Sequence, residues 1–212
     1  NLYKYNYDFF GFQHLVKTAD ATDIFVKETV IWTSRKSLPY NFFDDEATPN
    51  YFKLISPNLS MPKKDKLRCT TLKYFEQMRE NVKQLLLDTS SKISFTVDGW
   101  TSVNRKSYYG ITAHYIDDNW KLCSLTLDFL PSDGKHTGLD IAKLFHSSIE
   151  FFGLKEKIQG ITMDNASAND MFIAELKKLL NQESIRFDEK NSHFRCMAHI
   201  CNLGVKDILN TL

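Results

Sequence analysis

The period of the apolar positions changes twice along the chain, and each change marks a new kind of element. Ala21, Ile24, Phe25, Ile31 and Trp32 recur at helical spacing in a stretch that ends at Leu38-Pro39. Pro49, Pro57 and Pro62 break the following residues into short pieces. Leu72, Phe75, Met78, Val82, Leu85 and Leu86 then make one stripe with charges opposite, which predicts a long helix with a core-facing side. From residue 92 the period is two. Ile93, Phe95 and Val97 alternate with polar neighbours into Asp98-Gly99-Trp100; Tyr109, Ile111, Ala113 and Tyr115 follow, then Cys123, Leu125, Leu127 and Phe129 after the turn residues Asp117-Asp118-Asn119. Three sequential strands with short connections predict an antiparallel meander.

Helical spacing then returns. Thr137 and Asp140 have the form of a capping box before Ile141, Leu144, Phe145, Ile149 and Phe152, with Gly153 as the stop. Ile158–Met163 reads as a fourth strand running into Asp164-Asn165. Ser167 and Asp170 open a helix carrying Phe172, Leu176, Leu179 and Leu180, and Phe194–Met197 reads as a fifth strand before a last apolar helix through Ile200, Leu203, Val205 and Leu209. The order β-β-β-α-β-α-β-α predicts a mixed α/β class: a five-stranded mixed sheet with helices on its faces. A helical region over 1–90 precedes this module over 91–212. No internal repeat or low-complexity segment is present.

Composition changes this picture little. Hydrophobic residues at 42% and charged residues at 25% are those of an ordinary globular chain. No apolar run reaches the length of a bilayer span, and Asn1–Phe10 lack a secretory layout, so the expectation is an intracellular protein without membrane contact. The scattered Cys69, Cys123, Cys196 and Cys201 do not form a disulfide framework. The net charge of +1 conceals a gradient: residues 53–92 carry nine Lys/Arg against four Asp/Glu, a balance of +5, while the segments on either side each stand at −2. Lys63, Lys64, Lys66 and Arg68 in that stretch are candidates for holding a polyanion; an ordinary solvated surface is the competing reading.

Two carboxylates stand out by placement. Asp98 ends the first predicted strand and Asp164 the fourth. On neighbouring parallel strands they would emerge at one sheet edge, where a divalent cation would neutralise them, and hard oxygen ligands favour Mg²⁺ or Mn²⁺. On spacing alone, strand-end turn chemistry is the commoner explanation.

The surrounding residues shift the balance. The strings Lys-Ile-Ser-Phe-Thr-Val-Asp-Gly-Trp-Thr-Ser (92–102), Tyr-Tyr-Gly-Ile-Thr-Ala-His-Tyr-Ile (108–116), His-Thr-Gly (136–138), Ile-Thr-Met-Asp-Asn-Ala-Ser-Ala-Asn-Asp (161–170) and Arg-Cys-Met-Ala-His-Ile-Cys-Asn-Leu (195–203) together resemble the hAT superfamily of DNA transposases. The likeness covers most of 38–212. It implies a ribonuclease-H-like fold, a nuclear DNA partner and a DDE-type site in which three acids hold two divalent metals for cutting and joining DNA strands. Asp98 matches the first acid and Asp164 the second. Cys196-x-x-His199 matches the family's CxxH element, which implies a His199 near the scissile phosphate; a satisfied core histidine is the competing reading.

As zinc ligands, Cys196 and His199 lack a second pair nearby, with Cys201 and His193 as the remaining candidates, so a packed Cys beside a His at the active edge is the preferred reading. Asn165 reads as a helix cap, His136 as a loop residue, His114 as structural and Trp100 as a packing anchor. The family's third acid, a Glu, lies on a later helix beyond an insertion, and its BED zinc finger and dimerisation region are likewise outside this sequence. Asp207 does not match the third acid; Glu175 and Glu183 fall on or after the helix behind Asp164, pointing away. The expectation is the front half of a split catalytic domain, without robust cleavage by itself and prone to self-association or in need of its missing C-terminal half. A retained non-catalytic module for DNA or protein contacts is the alternative.

Overall fold

The computed structural model describes residues 21–55, 60–132, 137–164 and 168–211. His136 and Asn165 lie outside the described residues. The chain divides into two compact units, Asn1–Asn81 and Val82–Leu212.

The first unit is helical: α1 (Ala21–Arg35), a 3₁₀ turn over Tyr40–Phe43, α2 (Ala47–Ile55) and the first part of α3 (Lys64–Asp88). Its core joins Val30, Phe43 and Leu67, with Phe42, Phe52, Met61 and Tyr74 packed around them. The buried face of α1 differs from the apolar stripe. Val26, Thr29, Val30 and Thr33 are buried, whereas Ile24 and Trp32 are exposed. The threonines tolerate burial because each hydroxyl donates back along the helix, Thr29 to the Phe25 carbonyl at 2.7 Å and Thr33 to that of Thr29 at 2.8 Å. The α3 stripe is likewise split. Leu72, Phe75 and Met78 are exposed, while Leu86 is fully buried and Val82 and Leu85 pack against the core of the second unit. That packing places the division between units before the change of period near residue 90.

The second unit is built on one sheet in the order β3-β2-β1-β4-β5. Its strands are β1 (Ile93–Thr101), β2 (Ser107–Ile116), β3 (Leu122–Ser132), β4 (Ile158–Met163) and β5 (His193–Arg195). The first three pair antiparallel, and β1–β4 and β4–β5 pair parallel. Helices α4 (Gly138–Phe151) and α5 (Ala168–Gln182) connect β3 to β4 and β4 towards β5; a four-residue α6 (Glu189–Ser192) precedes β5, and α7 (Met197–Thr211) follows it.

One sheet face, with Ile93, Phe95, Val97, Ile111, Ala113 and Ile161, is buried against Phe145 and Ile149 of α4 and Phe172 and Leu176 of α5. Phe95, Phe145 and Phe172 meet edge to face at centroid distances of 5.4 and 5.7 Å. The other face carries Ser94, Thr96, Thr112, His114 and Thr162, all half-buried, with a hydrogen bond of 2.5 Å between Thr96 Oγ1 and His114 Nε2. Helix ends are well closed. Thr137 caps α4 by accepting from the Asp140 amide at 3.2 Å, and Gly153 stops it at φ +70° while the Leu154 amide donates to Ile149. The Lys157 ammonium donates to the carbonyls of Leu86, Leu87 and Thr89 at 2.6–2.9 Å, capping the end of α3. No helix among the described residues is long and apolar enough to cross a membrane.

A candidate acid pair at the carboxyl edge of the sheet

Register brings the two sequence-predicted acids level. On β1 and β4, Ser94 faces Gly160, Phe95 faces Ile161 and Thr96 faces Thr162. Continuing the same offset for two residues sets Asp98 beside Asp164, on neighbouring parallel strands about 4.8 Å apart. On the other flank, Ile161, Thr162 and Met163 pair with His193, Phe194 and Arg195. The Cys196 amide then donates to the Met163 carbonyl at 2.7 Å, so Cys196 stands level with Asp164. On the β2 side Asp98 faces Gly110, which in turn faces Phe129. One row across the sheet therefore reads Phe129, Gly110, Asp98, Asp164, Cys196.

The two acids are held differently. Asp98 is exposed at the end of an alternation that buries Ile93, Phe95 and Val97 and turns Ser94, Thr96 and Asp98 to the opposite face. Asp164 is half-buried and is gripped from α5: the Asn169 amide nitrogen donates to its Oδ1 at 2.6 Å and to its backbone carbonyl at 2.8 Å. Asn169 itself is buried. This residue lies inside the 161–170 string, yet the sequence gives it no role; its signal is an Asn five residues past a strand-end acid, in the first turn of the next helix. Tyr109 is a second such residue. Its ring packs on the bare backbone of Gly99, where a Cβ would come within 2.6 Å of Cε1. Burial pushes its hydroxyl up from the usual phenol range, with the Asp140 and Asp164 carboxylates adding to the shift.

His199 falls in the first turn of α7 and is half-buried, and Cys201 is exposed on the same helix. Among the described residues no group of three or more His, Cys, Asp or Glu is placed to share a metal. His193 lies 4.0 Å from Asp170, and its burial lowers its affinity for a proton. Glu175 of α5 and Glu183, one residue past its end, are engaged elsewhere. Glu175 pairs with Lys178 at 2.6 Å, and Glu183 pairs with Lys155 and with His146 at 2.7 Å, at the far end of a 15-residue helix, about 22 Å from its start. Asp207 is exposed on α7.

Lys63, Lys64, Lys66 and Arg68 are in the first unit and exposed. At 100° per residue, Lys64 and Arg68 share a side of α3 and Lys66 projects from roughly the opposite side. Lys63 and Lys64 line a cleft of about 620 Å³ together with Asp44, Asp45, Glu46 and Asp65, so the local charge there is mixed. Asp44 accepts from the Lys64 amide at 3.2 Å and caps α3.

Residues 96–191 match the ZBED1 RNase-like domain. A protein of Zea mays named as an AC transposase is 29% identical over 171 residues, covering 80% of this chain and 21% of that protein. These matches support a hAT-family transposase region. Its five-stranded mixed sheet, with the match to an RNase-like domain, fits a ribonuclease-H-like fold. The protein of Oryza sativa subsp. japonica named zinc finger BED domain-containing protein RICESLEEPER 2 is 22% identical over 82% of this chain. One of Talaromyces stipitatus, named as the transcriptional regulator tpeD, is 30% identical over 65%. This hAT region spans 16–24% of the length of these three relatives.

Proposed function

We propose that this hAT region supplies the first two acids of a nuclear, metal-assisted phosphoryl-transfer site acting on DNA. The observation that carries the reading is the β1–β4 register, which, extended two residues past the Thr96–Thr162 pair, sets Asp98, three residues before the end of β1, beside Asp164, just past the end of β4. Two carboxylates at one edge are a hard-oxygen donor set that fits Mg²⁺ or Mn²⁺, which commonly takes one or two protein carboxylates and leaves its other positions to phosphate oxygens and water. Bound there, the cation would polarise a phosphoryl oxygen and offset developing negative charge. Asn169 fixes the direction of the Asp164 carboxylate, and Asp98, exposed on the open face, stands where a phosphodiester approaches. His199, three residues past the Cys196 that is level with Asp164, is the candidate for contact with that phosphate. Lys64 and Arg68, as i, i+4 neighbours, are the pair in the basic stretch able to face one run of backbone phosphates.

With two acids the region gives part of a metal's ligand set, and cleavage by this chain alone is expected to be slow or absent. The test is Mn²⁺ titration of the purified chain, followed by calorimetry. Binding that weakens about tenfold or more in both Asp98→Asn and Asp164→Asn supports a shared site; binding unchanged by either substitution refutes it. The relative named as a transcriptional regulator favours a second reading, a non-catalytic module for DNA or protein contacts. DNA binding undiminished in the double variant would favour that reading.

A further inference from the structure

The row that holds the acids continues into three aromatic rings. Trp100 is two residues past Asp98 on the same face of β1, Tyr108 faces Trp100 across β2, and Phe129 faces Gly110, the partner of Asp98. Tyr108 and Phe129 stack with centroids 4.9 Å apart and planes at 26°; Trp100 lies 5.0 Å from Phe129 and 6.1 Å from Tyr108. Gly110 makes this possible. A Cβ there would come within 3.2 Å of Trp100 Cζ3, so the missing side chain lets the indole lie down across β2. Packing does not consume the rings, however. Trp100 is 41% and Phe129 51% exposed.

The hairpin side of the rings is cationic, while Asp98 lies on their other side. Two residues beyond Trp100 the β1–β2 connection closes as a tight hairpin, the Ser102 amide donating to the Lys106 carbonyl at 2.8 Å and that of Arg105 to Ser102 at 2.9 Å. Its tip exposes Arg105 and Lys106, and no carboxylate pairs with either among the described residues. Half-exposed aromatic faces bordered by free cations are the chemistry of single-stranded nucleic acid, in which bases stack on rings and phosphates meet Lys and Arg. A duplex keeps its base faces inside its own stack, so it cannot use such a platform unless a base is unpaired or flipped out.

We propose that Trp100, Tyr108 and Phe129 form a stacking platform for an unpaired base of single-stranded DNA, beside the Asp98–Asp164 edge and flanked by Arg105 and Lys106. The proposal rests on the DNA reading above and names the form of DNA that the site receives.

The test is fluorescence anisotropy of the purified chain with a labelled oligothymidylate and with a labelled duplex, both in EDTA so that metal binding plays no part. The wild-type chain is expected to bind the single strand more tightly than the duplex. Losing a ring is expected to weaken single-strand binding about 5- to 150-fold, in Trp100→Ala and also in Phe129→Ser, the latter at the more exposed ring and the safer for folding. Arg105→Ala/Lys106→Ala should flatten the dependence of affinity on salt. A thermal melt of each variant separates lost contact from lost fold. Asp98→Asn/Asp164→Asn removes two negative charges beside the platform and should bind the single strand in EDTA at least as tightly as wild type while losing Mn²⁺ binding, so that failure of the metal reading and failure of this one stay distinguishable. Absence of single-strand binding, equal binding of strand and duplex, or wild-type affinity in folded Phe129→Ser would overturn the proposal.

Discussion

Adding one methyl group at Gly138 should loosen both the fold and the acid edge. Gly138 opens α4, and a Cβ built on it would lie 2.5 Å from the Phe172 backbone nitrogen and 2.6 and 2.7 Å from Met171 Cβ and C. Two of these three atoms are backbone of α5, so no side-chain rotation relieves the clash. Overpacking of this kind costs about 1–3 kcal/mol, and a backbone obstacle puts Gly138→Ala in the upper part of that range. At about 2–4 °C per kcal/mol, the melting temperature should fall by roughly 4–12 °C. The segment that must move is the first turn of α5, which also carries Asn169. Hence Mn²⁺ affinity should fall as well, at temperatures where the variant is still folded. Circular dichroism melts and calorimetry measure the two effects. Gly204→Ala is the control: nothing lies within 4 Å of the added atom, and alanine favours an exposed helix by about 1 kcal/mol, so its melt should not fall. A Gly138→Ala protein that melts with the wild type would refute the close approach of α4 and α5.

Asn169→Leu removes the donor to the Asp164 carboxylate and should cost about 1.5–3 kcal/mol by urea denaturation while weakening Mn²⁺ binding; unchanged metal affinity would deny Asn169 its positioning role. Lys157→Met strips the cap from three carbonyls at the end of α3 and should cost about 1–2 kcal/mol in the same assay. Burial first, then the Cys123 thiol and the Asp117 carboxylate, push the Tyr115 hydroxyl up to about 12 from its ordinary 10. Because the unfolded chain ionises this phenol first, its contribution is intact below pH 10 and is lost as pH rises through about 12. Stability curves of wild type and Tyr115→Phe should therefore converge below pH 10 in shape and diverge above it, and parallel curves up to pH 12 would contradict the burial.

The sheet was the most legible part of the sequence, since strands with one buried and one half-exposed face alternate cleanly, as Ile93, Phe95 and Val97 do. Asp98 and Asp164 could be picked out because both interrupt that alternation at its end. Helical faces were harder to read. The inward side of α1 uses Thr29 and Thr33, whose hydroxyls are satisfied by their own helix, so polarity in the sequence is not polarity at the surface. The α3 stripe is a single pattern serving two units, and only its Val82–Leu86 end is drawn into the second core. Asn169 was illegible as a partner of Asp164 because its role depends on how α5 leaves the sheet, a matter of three-dimensional packing. The aromatic trio was hidden for a related reason: Trp100, Tyr108 and Phe129 come from three strands and meet through register, with Gly110 giving them room.

The shared register of β1 and β4 also determines where this chain can change length. Asp98 and Asp164 meet through a strand offset, so the chain between them behaves as one long excursion. The turn at Asp117–Lys121 lies on that excursion at the end of the meander remote from the acids, and residues gained or lost there leave the offset untouched. One residue added within Ile158–Met163 would instead turn Asp164 to the opposite face of the sheet, because side chains alternate along a strand. Length variation among descendants of such a sequence is thus expected to collect at the Asp117–Lys121 turn and to be excluded from the six residues of β4.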